Sequence, residues 1–325
     1  MNLKVKEKNN IWKALLELNQ FVRGLRQFKT IQITIYPEIN ISINENDQNN
    51  KNALLISQKQ NHLPNDFIAG FFVDNHYTIY SSVNNKLKTS EFNLLKHYLP
   101  YILNYFKALQ NKKSYVVSHF AQTLDGKIAT VSGHSKWIGN EENLIHAHRM
   151  RALCDGILIG ANTYMKDKPR LTVRHVEGNN PVKIVLGNSY YNETDFKNEK
   201  KHTLCLTSLR GEIKKSVDEN VICFSPYNGL IDPNEITEYL FKKGIYTVYL
   251  EGGAFTTSHF LKKKALNEIQ LFLSPAIFGS GISNFSLNQI DYIKEAVTFR
   301  NSKFLFMGKE GIMFCGEVNY SENGD

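Results

Sequence analysis

The sequence predicts a mainly parallel α/β sheet from about residue 114 to the C-terminus, preceded by a small α+β unit. Three observations carry that expectation. After residue 114, short β-branched runs alternate with helical stretches, the pattern of parallel strands joined by crossovers. The polar break Asn111-Lys112-Lys113 separates this region from a stretch of different texture. A chain of 325 residues also exceeds the usual size of one domain, so two domains are the default.

Before the break, residues 11–28 place Trp12, Leu15, Leu16, Asn19 and Val22 at helical spacing and read as an amphipathic helix. IQITIY (31–36) alternates like a strand and ends at Pro37. The Asn-rich stretch 44–52 reads as a loop. Strands are expected at 53–57, 67–73 and 76–80. A helix is expected from Ser90 to about Leu109, with Ser90 as its cap and Glu91 in the first turn. Residues 1–113 thus form a small α+β domain with no nameable motif.

After the break, YVVSHF (115–120) reads as a strand leading to the turn signal Asp125-Gly126. A helix over about 140–153 follows, then strands at 156–160, 181–187, 204–208, 221–224 and 247–253. A helix at 257–264, a strand at 268–275 and a C-terminal hairpin complete the region 114–325.

Composition narrows the class. A hydrophobic fraction of 42% and an aromatic fraction of 12% exclude a mainly disordered chain. No apolar run approaches the roughly 20 residues of a membrane span. The first ten residues are charged and polar, with no apolar segment in signal position. A cytoplasmic protein without a membrane partner is therefore expected. Residues 1–113 hold 15 Lys+Arg against 8 Asp+Glu, and the remainder 24 against 23. The N-terminal cations are scattered, so a solvated surface is favoured over a nucleic-acid partner. Cys154, Cys205, Cys223 and Cys315 show no metal-ligand spacing and read as buried thiols, with no metal site.

Two segments carry chemistry. In LEGGAFTTSHF (250–260) a buried strand runs into Gly252-Gly253 and a helix. Glycines there let backbone approach a ligand, and free N–H groups at a helix start favour a phosphate. The same pair could equally be only a sharp turn. The second segment spans 123–174. Ser135 and Trp137 offer a hydroxyl and a flat face, and Arg151 lies on the next helix. The strand 156–160 opens into Thr163, Asp167, Leu171 and Arg174. These polar groups fall at strand C-terminal ends, where α/β sheets bind ligands.

Thr123–Ala129, Ser135–Ile138, Arg151, Thr163–Arg174 and Glu251–Gly253 together resemble the reductase domain of the riboflavin-biosynthesis deaminase–reductase family and its stand-alone homologues, in order and spacing. The resemblance implies a dihydrofolate-reductase-like fold, NADPH as hydride donor and a homodimer. It also implies a phosphorylated 5-amino-6-ribosylamino-pyrimidine as substrate, reduced at the sugar C1 to the ribitylamino product. By motif position, Asp167 and Glu251 are the catalytic candidates. His119, Ser135, Arg151, Leu171 and Arg174 would contact substrate. Trp137, Thr163, Asp167 and the turn Gly252, Gly253, Ala254, Phe255 and Thr256 would contact cofactor. Thr207, Ser208 and Arg210 are candidates for the adenosine 2′-phosphate. The two arginines suit a sugar phosphate, since a guanidinium fork stays charged.

The sequence departs from the family pattern in four places. His119 stands where Lys is common, Lys168 follows Asp167 where an acid or Asn is usual, and Gly187 ends a strand that usually finishes in Asp. Residues 1–113 contain no cysteine, so they cannot be the family's zinc deaminase. His134, His146, His148 and His175 show no ligand pattern and read as surface or loop residues. A non-catalytic nucleotide-binding paralogue, or a reductase of a related pteridine or pyrimidine, is the alternative function. A nucleic-acid-associated protein ranks last.

Overall fold

The computed structural model describes residues 10–34, 39–43, 53–58, 69–83, 87–136, 138–187, 203–208, 221–225 and 230–320. The chain divides into two compact units, Met1–Lys112 with His175–Gly178, and Lys113–Arg174 with Asn179–Asp325.

In the first unit, helix α1 (Asn10–Val22) buries Ile11, Leu15, Leu18 and Val22 along one stripe. It stops six residues short of the predicted end. The amides of Arg23, Gly24 and Leu25 turn back onto the carbonyls of Gln20, Phe21 and Val22. Strands β1 (Thr30–Thr34), β2 (Asn40–Ile43), β3 (Ala53–Ser57), β4 (Ala69–Val73) and β5 (Ile79–Val83) form one sheet, ordered β2-β1-β3-β4-β5. β3 and β4 run parallel, and the other pairs are antiparallel. β5 starts later than predicted because the Asp74 carboxylate accepts the amides of His76 and Thr78, both at 2.9 Å, and closes a turn.

Helix α2 (Thr89–Asn111) begins one residue before Ser90, which lies inside the first turn and is not the cap. The Glu91 carboxylate instead accepts the Lys88 N–H at 3.2 Å. The core of this unit is strongly aromatic. Trp12 meets Tyr98 edge-on at 5.6 Å, and Tyr77 stacks on Phe106 at 4.6 Å.

The second unit contains β6 (Tyr115–Thr123), β7 (Lys127–Ala129), α3 (Glu141–Leu153), β8 (Gly156–Gly160), α4 (Ala161–Asp167), β9 (Val182–Leu186), β10 (Thr203–Thr207) and β11 (Val221–Cys223). It continues with α5 (Pro233–Lys242), β12 (Thr247–Leu250), α6 (Ala254–Lys262), β13 (Glu268–Ser274), β14 (Ile282–Ser283), β15 (Thr298–Phe306) and β16 (Ile312–Asn319). Nine strands make one sheet, ordered β11-β10-β9-β8-β12-β6-β13-β16-β15. From β11 to β13 every neighbour is parallel. β16 and β15 add an antiparallel hairpin at one edge, as the sequence predicts. β7 and β14 pair separately.

Several boundaries moved for identifiable reasons. Gly252-Gly253 leave the sheet, so β12 ends at Leu250 and α6 starts three residues before the predicted Thr257. A full helix, α4, replaces the expected small-residue turn after Gly160. Helix α5 was not anticipated, although Asp232 caps it by accepting the Asn234 amide at 2.9 Å and Pro233 occupies its first turn. Cys154, Cys205 and Cys315 are buried as expected; Cys223, on the outermost parallel strand, is exposed.

β12 lies between β8 and β6, with Leu250 opposite Leu158 on one side and Ser118 on the other. Leu158, Val248, Leu250 and Phe260 are fully buried in the cluster that unites sheet and helices. Replacing Leu158 by Ala should therefore cost about 2–5 kcal/mol. Urea unfolding of the full chain measures it, and a loss below about 0.5 kcal/mol would contradict this view of the core.

Candidate active site

The parallel strands place their C-terminal ends along one rim of the sheet, where backbone groups and loop side chains can meet a ligand. Glu251 is the first residue beyond β12. Its N–H donates to the Leu158 carbonyl at 3.0 Å, which pins it beside the end of β8. Its carboxylate accepts two bonds from Arg151 in the last turn of α3, Nε to Oε1 and Nη2 to Oε2, each 2.7 Å. The side chains are only 11% and 18% exposed. Burial by itself lowers the pKa of Arg151, but the charge and hydrogen bonds of Glu251 outweigh it and hold the guanidinium above its ordinary range. The third nitrogen, Nη1, donates to the Thr172 carbonyl at 3.2 Å. Arg151 thus ties together α3, the segment after α4 and the end of the central strand.

A second cation stands nearby. Arg174 is exposed, its Nη1 donates to Thr172 Oγ1 at 2.6 Å, and its amide donates to His148 Nδ1 at 2.9 Å. Desolvation, then the charges of Arg151 and Arg170, lower its pKa. The positive charges of Arg151 and Arg170 oppose its own, and the Glu251 carboxylate works against them. Leu171 is buried beneath this loop and adopts a left-handed φ of 52°. That conformation is uncommon outside glycine and is held by the side chain's anchorage.

Beside this pair lies a cavity of about 270 Å³. Gly160, Thr163, Leu186, Gly187, Ile231, Gly253, Thr256 and His259 are among the residues that line it. Helix α6 opens at Gly253 without a side-chain cap, leaving its first amides for a ligand. A Cβ on Gly160 would sit 2.8 Å from Thr256 Oγ1, and one on Gly252 3.1 Å from Leu250 Cδ1 and 3.3 Å from Thr256 Cβ. The glycines therefore permit a close approach of β8 and β12 to the start of α6. Ala254 begins that helix, and Phe255, 63% exposed, stacks on His259 at 6.3 Å. His259 Nε2 lies 2.8 Å from the Ile231 carbonyl, so this nitrogen carries the proton. His259 lies at the end of the 253–259 turn that the family resemblance assigns to the cofactor, and it lines the cavity.

The remaining expectations divide. Thr207 ends β10, two strands from β8, with its buried Oγ1 lacking a partner among the described residues. Ser208 is buried beside it. Ser135 is exposed in the loop before α3. Asp167 is exposed at the C-terminal end of α4, four residues after the cavity-lining Thr163 and hence on the same helix face. Trp137 and Arg210 lie outside the described residues. Asp125 fixes the turn after β6: it accepts from Thr123 Oγ1 at 2.6 Å and from the amides of Phe278 and Gly279. The Thr123 hydrogen bond leads the causes that lower its pKa.

The histidines require a correction. His134 and His175 are exposed as expected, but His146 and His148 are buried on α3. His146 Nε2 meets Gln270 Oε1 at 2.9 Å, and Gln270 Nε2 reaches Met150 Sδ at 3.9 Å. His119 is also buried, with its ring 5.5 Å from His146 and stacked on Tyr249 at 5.8 Å. Its Nδ1 has no hydrogen-bond partner among the described residues. Burial, then the charges of His146 and Arg151, push its pKa well below the ordinary histidine value. A short polar layer of neutral imidazoles and amides therefore lies within the sheet–α3 packing. Helical spacing of 146 and 150 on α3 was its only sequence signal.

A model of the RibD C-terminal domain family matches residues 114–307. The riboflavin biosynthesis protein RibD of Aquifex aeolicus is 32% identical over 215 residues, which are 65% of this chain and 60% of that protein. The match thus spans about three fifths of that relative's length. The 2,5-diamino-6-ribosylamino-4(3H)-pyrimidinone 5′-phosphate reductase of Methanothermobacter thermautotrophicus is 29% identical over 214 residues, 62% of this chain and 97% of that one. Among solved structures, Acinetobacter baumannii RibD superposes with a TM-score of 0.61 at 16% identity, covering 96% of this chain and 99% of that one. A Thermotoga maritima diaminohydroxyphosphoribosylaminopyrimidine deaminase/5-amino-6-(5-phosphoribosylamino)uracil reductase gives 0.54 at 19% identity, covering 96% and 100%. These superpositions establish the fold.

The buried imidazoles make stability sensitive to acid. Burial leads the causes that lower the His146 pKa from 6.5 to about 4. Between those values the unfolded chain binds the proton and the folded one does not, so stability falls as pH drops from about 6.5 to 4. The loss from His146 is roughly 3 kcal/mol. His146→Gln, followed by urea unfolding at pH 7 and pH 4.5, should shrink the acid loss; an unchanged loss would contradict it.

Proposed function

The chain belongs to the RibD C-terminal domain family, and on that premise we propose that residues 114–325 reduce a phosphorylated 5-amino-6-ribosylamino-pyrimidine to its ribitylamino product with NADPH. The observation that carries this reading is the paired Arg151–Glu251 fork at the end of the central strand, set beside a glycine-lined cavity. The named relatives include a reductase of such a pyrimidinone phosphate.

The cavity residues fit a dinucleotide. Gly160 and Gly253 line the cavity without side chains, Gly252 lets β12 approach Thr256 closely, and the uncapped start of α6 suits a diphosphate. Thr163, Ala254, Phe255 and Thr256 would hold it there. Thr207 and Arg210 would favour the 2′-phosphate, hence NADPH over NADH. When bound, the nicotinamide supplies the hydride that converts the open-chain imine carbon of the substrate into the CH₂ of the product.

The chain's own residues position and stabilise. Arg174, with Arg151 behind it, receives the sugar phosphate; Ser135 and Leu171 line the substrate side. Glu251, oriented by two hydrogen bonds from Arg151, places negative charge beside the cationic imine. Asp167, on the Thr163 face of α4, is the second carboxylate and moves the proton. His119, a substrate-side candidate by motif position, is buried against His146 and Tyr249 and would act on the substrate only from behind the site.

We assign a homodimer through the hairpin edge, where Phe304 and Phe306 on β15 are 68% and 88% exposed and Ile293 nearby in sequence is 92% exposed. An apolar edge strand of this kind calls for a covering partner. No helix among the described residues is long and apolar enough to cross a membrane. A small-molecule substrate, no nucleic acid and a cytoplasmic setting complete the reading.

Steady-state NADPH oxidation with the ribosylamino-pyrimidine phosphate tests it. Glu251→Gln should lower kcat by about 10²-fold with little change in NADPH binding. Arg174→Ala should raise KM about tenfold or more for the phosphate ester and leave the dephosphorylated nucleoside unaffected. Tight NADPH binding without turnover by the unmodified protein would instead favour the non-catalytic paralogue.

A further inference from the structure

The first unit lacks the residues with which a nucleobase deaminase holds its metal. The Thermotoga superposition covers 96% of this chain and all of a protein named as both deaminase and reductase. The family match to the reductase domain begins only at residue 114. The rest of the superposition therefore falls on the first unit, with the sheet β2-β1-β3-β4-β5 between α1 and α2 in sequence, and on the part of that protein outside its reductase.

Zinc deaminases of nucleobases hold the metal with one His and two Cys, or three Cys, in H-x-E and P-C-x-x-C segments, with the Glu as proton carrier. Residues 1–113 contain no cysteine, and their histidines are His62, His76 and His97, none followed by x-Glu. His62 lies outside the described residues. His76 sits in the β4–β5 turn with its amide bonded to Asp74, and the His97 ring packs edge-on against Tyr98 at 4.4 Å and Tyr101 at 5.7 Å within α2. Among the described residues no three His, Cys, Asp or Glu side chains gather into a ligand set. The donor chemistry does not fit zinc. The unit stands on aromatic packing instead, with Phe28 against Phe106 at 5.1 Å and Tyr77 stacked on the same ring.

We propose that the first unit is a metal-free deaminase fold retained as structure, so that this chain performs reduction alone. A separate zinc hydrolase must then supply the deamination of the same pyrimidine. That missing step is hydrolytic: water adds at the amino-bearing ring carbon, the C–N bond breaks, and ammonia leaves as a carbonyl forms. It needs a metal-activated water and a proton-carrying Glu. The reaction order rests on the reductase reading above; the absent metal centre rests on the first unit alone.

The full-length protein, purified from zinc-supplemented culture, is analysed for zinc by mass spectrometry. It is then incubated with 2,5-diamino-6-ribosylamino-4(3H)-pyrimidinone 5′-phosphate and, separately, with its ribitylamino counterpart, and NADPH oxidation is also followed with the deaminated ribosylamino-pyrimidine phosphate. Ammonia release and NADPH oxidation are followed together, with a bifunctional deaminase–reductase as positive control. The expected result is zinc far below one per chain and no ammonia above the blank with either compound. Ammonia should appear only when a separate zinc deaminase is added. Near-stoichiometric zinc with ammonia release abolished by a chelator would overturn the proposal. Failure to oxidise NADPH with either the diamino-pyrimidinone or its deaminated form would contradict the reductase reading instead, leaving the zinc and ammonia results to decide this one.

Discussion

The second unit is organised around one ion pair. Arg151 and Glu251 are a hundred positions apart in sequence and meet through two parallel 2.7 Å hydrogen bonds with little exposure to water. Burying either charge alone is costly, so each side chain specifies the place of the other. Because Arg151 also holds the Thr172 carbonyl, the pair sets where α3, the segment leading to Arg174, and the rim of β12 stand relative to one another. The position of Arg174 depends on that arrangement too, since its amide is anchored on His148 of the same helix.

The parallel sheet supplies the complementary half. β8 and β12 are neighbours, and both deliver small residues at their ends: Gly160 from one, Gly252 and Gly253 from the other. A Cβ on Gly160 would strike Thr256, and one on Gly252 would crowd Leu250 and Thr256. The ion pair and the glycine-lined cavity thus arise from consecutive residues of one loop. Residue 251 faces the arginine, and residue 253 opens the helix.

Much of this was legible in the sequence because it is local. β-branched runs, the Asp125-Gly126 turn and the ordered motifs from Thr123 to Gly253 each depend on neighbouring residues, and they placed the strands and the site region. What was missed depends on partners distant in sequence. His146 reads as a surface residue until Gln270 arrives from β13 to pair with it. The Arg151–Glu251 contact itself cannot be read from spacing, although both residues were named. Helix α4 is hidden by small residues that look like a turn, and α1 ends at Val22 despite continuing periodicity. Helix α5, by contrast, carried a readable Asp-Pro start that was passed over.

The first unit shows the limit of motif reading in the other direction. Without a zinc signature its sequence has no recognisable name, yet its strand order and the whole-chain superpositions give it a fold. The most direct test of the reduction proposed for the second unit is label transfer. NADPH deuterated at either face of nicotinamide C4 is incubated with the protein and the ribosylamino-pyrimidine phosphate, and the product is read by mass spectrometry and NMR. The account predicts one deuterium at C1 of the ribityl chain from one of the two labelled forms. NADPH binding with no deuterium delivered to that carbon from either form would contradict it.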